Sequence, residues 1–231
     1  MPKKSLNRST SSKSAWGPLA PERVAAILKT LDEAYPHAKC ALHHHSAWEL
    51  LVATILSAQC TDARVNMVTP ELFRRFPTPE AMAKASLPEI EKLIKSTGFY
   101  HNKAKSIQGA ARKIVSDFGG KVPKTLAELI TIPGAARKTA NVVLGVSFGK
   151  AEGIVVDTHV FRIARRLELA KGDTPAKVEQ ELMQVIPHDH WIRFSHQIIH
   201  HGRQVCTARN PKCKVCPLEP LCRSKDKTWS S

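Results

Sequence analysis

The 231-residue chain lacks any run of about 18 apolar residues, so no segment of it can cross a bilayer as a helix. It lacks an apolar stretch near its start, which excludes a secretory signal peptide. Acidic residues are scarce: 20 Asp and Glu stand against 35 Lys and Arg, for a net charge of +15. The first 20 residues contain no acid at all, only Lys3, Lys4, Arg8 and Lys13 among five serines before Ala15. Residues 1–20 therefore read as a disordered basic tail, or as a targeting signal, which shares that composition. Such a charge surplus implies an anionic partner, with nucleic acid first and an anionic membrane surface or a ribosome-like assembly second. Hydrophobic content of 42% excludes a wholly disordered chain. The length suits one large or two small domains with a real core.

Strand signals are also nearly missing. Ile154–Val156 is the one strand-like run and is too short to build a sheet, and no long repeat period is visible. Helix signals fill the rest. Val24, Ile27, Leu28 and Leu31 give helical spacing to Pro21–Tyr35. Ser46 with Glu49 predicts a capping box ahead of Ala47–Ser57, and Asp62 a cap for a following helix that Pro70 bends. Thr78-Pro79 and Ser86 with Glu89 start two more, the second ended by Gly98. Asn102–Phe118 is a basic amphipathic helix closed by Gly119 and Gly120, and Thr125 with Glu128 opens a short helix to Ile130. A tight turn at Ile132-Pro133-Gly134 leads into Arg137–Phe148. Asp157 caps Thr158–Leu167, Thr174-Pro175 starts a helix to Val185, and His190–Arg203 leads into the cysteines. Short connections between helices predict an all-α fold. His43, His44 and His45 precede a helix cap and read as a solvated loop.

Cys40 and Cys60 are isolated, whereas Cys206, Cys213, Cys216 and Cys222 follow one another at spacings of six, two and five residues. Without a secretory signal, clustered thiols read as a metal site rather than as disulfides. Four thiolates can hold Zn²⁺ or a 4Fe–4S cluster. Only Cys213 and Cys216 form a close pair, which favours the cubane, whose corners need thiols from several directions. Basic neighbours Arg203, Arg209, Lys212, Lys214 and Arg223 suit its negative charge. The loop 207–212, pinned between two of these cysteines, carries Arg209 and Lys212 as phosphate contacts.

The turn before Arg137 points the free N–H groups and positive end of the next helix outward, a ready phosphate site. It is similar to a helix–hairpin–helix element, which grips one DNA strand by its backbone. Pro133-Gly134-Ala135-Ala136-Arg137-Lys138-Thr139-Ala140-Asn141-Val142-Val143-Leu144 with Val156-Asp157-Thr158-His159-Val160-Phe161-Arg162 resembles the endonuclease III family of DNA glycosylases. Leu56-Ser57-Ala58-Gln59-Cys60-Thr61-Asp62, Gly98-Phe99-Tyr100-His101-Asn102-Lys103-Ala104 and the cysteine spacing add to the likeness, which spans about residues 22–223.

The resemblance implies two helical lobes with the active site in the cleft between them. A six-helix barrel with the hairpin would occupy 42–150, and an iron–sulfur lobe would combine 21–41 with 151–223, leaving 224–231 as a tail. It implies a 4Fe–4S cofactor on Cys206, Cys213, Cys216 and Cys222. It also implies a monomer acting on double-stranded DNA that contains damaged bases or abasic sites. Lys138 would be the nucleophile that attacks the sugar C1′, expels the base as a Schiff base forms, and permits β-elimination. Burial, a helix N-terminus and a nearby cation such as Arg137 would favour its neutral form. Asp157, beyond capping a helix, would stabilise charge at C1′ or take a proton. Gln59 would fill the space of an extruded nucleotide and Phe99 would wedge between bases. Gly134, Ala136, Arg137 and Thr139 would contact the backbone. Ala136 stands where the family has a second glycine, Ala135 where it has a β-branched residue, and Phe99 where leucine is frequent. These departures imply weaker phosphate contact, a shifted hairpin or an altered opposite-base preference. The expected activity is excision of oxidised pyrimidines with strand nicking. A monofunctional mismatch glycosylase and a non-catalytic DNA-binding module are the alternatives. The expected place is the bacterial cytoplasm, on the nucleoid, or an organelle or nucleus if the tail is a targeting signal.

Overall fold

The computed structural model describes residues 17–228, which hold α and 3₁₀ helices and no strand. Residues 1–16 of the expected basic tail lie outside the described residues. In chain order the helices are α1 (Pro21–Ala34), α2 (Ala47–Leu56), α3 (Asp62–Arg75), α4 (Pro79–Lys84), α5 (Leu87–Ile94), α6 (Tyr100–Phe118), α7 (Leu126–Leu129), α8 (Arg137–Phe148), α9 (Thr158–Arg166), α10 (Pro175–Val185) and α11 (Trp191–Gln204). None is long and apolar enough to cross a membrane.

Local chemistry explains most boundaries. Thr78, Thr125 and Thr174 each accept the backbone N–H three residues on, and Ser86 with Glu89 forms the expected capping box. Two expectations fail in detail. Glu49 reaches the His45 N–H at 2.7 Å instead of closing a box on Ser46. Thr61, not Asp62, caps α3, accepting from the Arg64 N–H at 3.3 Å. Asp62 is thereby freed for a distant partner. Pro70 is absorbed inside α3, which continues to Arg75.

The buried side chains form two separate clusters. One draws on residues from Leu42 to Leu144, around α2, whose Leu50, Leu51, Val52 and Leu56 are fully buried. A helix apolar on nearly every face must sit centrally, and α2 packs against α3, α6 and α8. The other joins Val24, Ile27, Leu28 and Leu31 of α1 to residues from Ile154 to Leu221. The N-terminal helix therefore packs with the C-terminal part of the chain. Arg23, 1% exposed, fastens that junction. Its guanidinium donates to Leu221 O at 3.1 and 2.6 Å, to Leu167 O at 2.7 Å and to Pro18 O. The residues after Cys222 are no free tail up to Thr228: Asp226 pairs with Arg166, Lys227 with Glu219, and the Thr228 hydroxyl donates to Pro211 O.

Arg23→Met keeps the apolar stem but orphans buried carbonyls, each at about 1–3 kcal/mol. Chemical denaturation should show a loss of about 3 kcal/mol, with helix content retained in the native baseline. A loss below about 1 kcal/mol would contradict this account.

Candidate active site

The turn between α7 and α8 is closed by Ile132 N–H donating to Leu129 O and Ala135 N–H donating to Ile132 O, at 3.1 and 3.0 Å. Gly134 has φ +80°, and a Cβ there would lie 3.0 Å from Ser106 Cβ and 3.2 Å from Ile55 Cδ1. Conformation and space both require glycine. Ala136 differs. Its φ of −66° and ψ of 167° are open to any residue, so alanine carries no strain there. Ala135 is buried in the core beneath the turn. No side chain caps α8, so the first-turn N–H groups at Arg137, Lys138 and Thr139 face outward.

Arg137 does not attend Lys138. Its guanidinium donates from Nε to both Glu179 oxygens at 3.0 Å. Buried Glu179 also accepts from Asn141 at 3.0 Å, so this carboxylate ties α8 to α10 across the two cores. The cation expected to depress the lysine is thus matched by an acid.

Lys138, Asp157 and Gln59 line one open pocket of about 600 Å³, together with Ser57, Cys60, Asp62, His159 and Arg203. Lys138 is the second residue of α8 and is exposed, so the burial expected of it is not present. Asp157 caps α9 through Oδ1, which accepts from the His159 and Val160 N–H groups, both at 2.8 Å. Oδ2 stays available to the pocket. Across the mouth, Arg203 of α11 meets Asp62 of α3 at 2.6 Å, a second tie between the cores. Arg203 was expected beside the cysteines; the helix α11 directs it into the cleft instead. Burial holds His159 below the ordinary imidazole range, against the opposing pull of Asp157. Gly202 lets α9 and α11 touch, since a Cβ there would fall 2.7 Å from His159 Nδ1.

Gln59 and Phe99 are two of the three non-glycine residues with positive φ among the described residues, at 51° and 47°. Both are exposed, and Phe99 keeps 66% of its surface. A left-handed L-residue costs about 1 kcal/mol, and strain of this kind gathers at functional positions. Phe99 stands at the head of α6 and does not line the pocket that holds Gln59.

The four cysteines 206, 213, 216 and 222 ring a single cavity. Hydrogen-bond donors aim at their sulfurs. Burial pulls His201 down to about 4, so its ring is neutral. Nδ1 accepts the Tyr35 hydroxyl at 2.9 Å, which leaves Nε2–H to face Cys216 Sγ at 3.6 Å. Arg166 Nη1 lies 3.3 Å from Cys206 Sγ and also donates to Thr207 O at 2.7 Å. Arg162 donates to Cys206 O at 2.8 Å. These two arginines and His201 were missed in the sequence; the one available signal was the basic i, i+4 pair after Asp157. Arg209 and Lys212 are exposed on the 207–212 loop, which the Lys212 N–H to Val205 O bond of 2.9 Å closes. The three adjacent histidines do not meet: His43 N–H donates to Asn66 and His44 bonds Leu42 O.

A model of the HhH-GPD superfamily of base excision DNA repair proteins matches residues 52–188, which include the hairpin, Lys138 and Asp157. Endonuclease III of Synechocystis sp. is 55% identical over 203 residues, covering 88% of this chain and 93% of that protein. Endonuclease III of Bacillus subtilis is 44% identical, with 89% and 94% covered. A solved trapped endonuclease III–DNA covalent intermediate superposes with a TM-score of 0.84 at 42% identity, over 89% of this chain and 96% of that one. A thermostable thymine-DNA glycosylase, 22% identical, shares the fold with a TM-score of 0.78. The chain belongs to the endonuclease III family within that superfamily.

The turn makes its own prediction. Gly134→Ala adds a forced left-handed alanine, about 1–2 kcal/mol, and a clash with Ser106, so its thermal midpoint should fall by several degrees. Ala136→Gly should change stability by no more than about 1 kcal/mol. Equal effects at the two positions would sink this reading of the turn.

Proposed function

We propose that Lys138 and Asp157 carry the two steps of a base excision repair DNA glycosylase with AP lyase activity, acting on oxidised pyrimidines in duplex DNA. The observation that carries this is their meeting in one pocket at the N-termini of two helices. Phosphates gather naturally at such ends, so the sugar–phosphate backbone is drawn to both. A base can reach the pocket only when its nucleotide leaves the stack, and Gln59 stands at the rim where the vacated space would be. The strained exposure of Phe99 suits a wedge against neighbouring bases.

In the first step the neutral Lys138 amine attacks C1′, the bond to the base breaks, and the base leaves with its electron pair and takes a proton. Loss of a proton from the lysine nitrogen and opening of the sugar yield the Schiff base, which permits β-elimination and strand cleavage. Lys138 is exposed in the free protein, so the dehydration that favours its neutral form comes from the DNA closing over the pocket. Asp157 Oδ2 faces the same space. It stabilises positive charge at C1′ or accepts the proton from the attacking amine. Around them, Gly134, Ala136, Arg137 and Thr139 present backbone or charge at the hairpin, and Arg209 and Lys212 extend the phosphate contact from the cysteine loop.

The chemistry of the donor set fits a 4Fe–4S cluster on Cys206, Cys213, Cys216 and Cys222. Four thiols on separate arms face one cavity, and His201 and Arg166 direct donors at two of the sulfurs, as anionic thiolates require. When bound, such a cluster supplies cross-links among these arms, and with them folding energy. The bacterial relatives support a cytoplasmic, nucleoid-associated setting.

Lys138→Gln should abolish both borohydride trapping on abasic DNA and strand nicking, while duplex affinity stays within about threefold. A trapped adduct from this variant would remove Lys138 from its role, and base excision by a wild type that never nicks would make the enzyme monofunctional. Asp157→Asn keeps the capping oxygen and should slow single-turnover excision by about 10²-fold or more. Purified protein should carry about four irons per chain. Stoichiometric zinc without iron would overturn the cofactor.

A further inference from the structure

A second cavity, of about 420 Å³, opens further along α9. Phe161 and Arg165 form one wall, and Arg223 and Lys225, just past the last cysteine, form another. Arg162 and Arg166 stand behind them; one acid, Glu168, also borders the space. Arg165 lies over the Phe161 ring, 5.3 Å from its centre, which steadies the guanidinium at an exposed position. Lys225 is exposed as well, and among the described residues neither it nor Arg165 is paired with a carboxylate. Arg162 and Arg166 spend most of their N–H groups on the neutral carbonyls of Cys206, Thr207 and Ala208, so their charge adds to the field. Asp226 offsets Arg166 alone.

The cavity continues two surfaces already assigned to DNA. Thr158 lines the cleft pocket, and positions 158, 161 or 162, and 165 share one face of α9. From Thr158 to Arg165 the helix rises about 10 Å, the axial length of about three nucleotides. The same arginines that back the cavity hold the 207–212 loop, which carries Arg209 and Lys212. A strand leaving the cleft along α9 therefore meets this cavity before it clears the protein. Its openness along the surface and its clustered cations suit a backbone phosphate better than an enclosed small anion.

We propose that this cavity binds a phosphate of the DNA strand about three nucleotides from the nucleotide in the cleft, through Arg165 and Lys225. The inference rests on the functional reading above. It goes beyond that reading in assigning a contact outside the hairpin, the cleft and the cysteine loop.

The test uses the full chain, a duplex carrying a tetrahydrofuran abasic analogue, and the Arg165→Ala/Lys225→Ala double variant. The slope of log affinity against log salt should shrink by about 1 to 2, at about 0.9 per lost phosphate contact. Uncharged methylphosphonates, placed singly two to five nucleotides from the analogue, should weaken wild-type binding at one or two of these positions and leave the double variant unaffected there. Arg165→Lys should keep the wild-type slope. An unchanged slope, or an identical methylphosphonate map in both proteins, overturns the proposal. So does a variant that loses binding to phosphatidylglycerol vesicles or to an acidic peptide while its DNA slope stays intact. A wild type with no salt-dependent affinity for the duplex would instead overturn the functional reading, and this site with it.

Discussion

The N-termini of α8 and α9 face one pocket although each helix is rooted in a different hydrophobic core, and the rest of the site depends on that convergence. Each end brings unpaired N–H groups and a partial positive charge, so the pocket is electropositive before any side chain is counted. Lys138 and Asp157 are placed by these ends: one sits in the first turn of α8 and the other is the cap of α9. Neither could be moved by a turn without losing the pocket. The two cores are held in register by polar ties, Glu179 to Arg137 and Asn141 on one side and Arg203 to Asp62 on the other. Directional bonds suit this task better than apolar contact, which would let the two cores slide.

The cysteine segment illustrates how a small region with little core is ordered. Pro211, Leu218 and Leu221 are its buried residues, and its loops are otherwise 3₁₀ turns and irregular chain. Order comes from outside it. Arg23 receives Leu221, Arg162 and Arg166 receive the carbonyls after Cys206, and Tyr35 sets the tautomer of His201. Three of these four helpers are arginines, whose fixed charge and forked donors can satisfy several carbonyls at once. Part of the +15 charge that reads as a nucleic-acid signal is therefore structural. Arg23, Arg137, Arg162 and Arg166 hold the fold, and the remainder is left for a partner.

Much of the architecture was legible in the residues, because the helix signals are local. A threonine or serine cap followed three residues later by its bonding partner needs no distant information, and neither do glycines that end a helix at positive φ. Where a local signal had two equal candidates, as at Thr61 and Asp62, the structure chose by a remote ion pair. The site was legible in part. Lys138 and Asp157 stand in local patterns, and so do the cysteines. Arg203, His159 and Ser57 line the same pocket from separate segments, and nothing in their own neighbourhoods marks them.

What the sequence by itself determined is the helical fold class, the boundaries set by caps, the hairpin turn that only Gly134 can make, and the set of thiols. These follow from backbone sterics and hydrogen bonds within a few residues. Only the tertiary structure decided which cations remain free. Arg137 was turned to Glu179, Arg203 to Asp62, and Lys138 was left exposed at the pocket mouth. The reason is that a long charged side chain reaches several ångströms in any direction its stem allows. Its partner is set by packing between segments far apart in the chain, which local sequence does not encode.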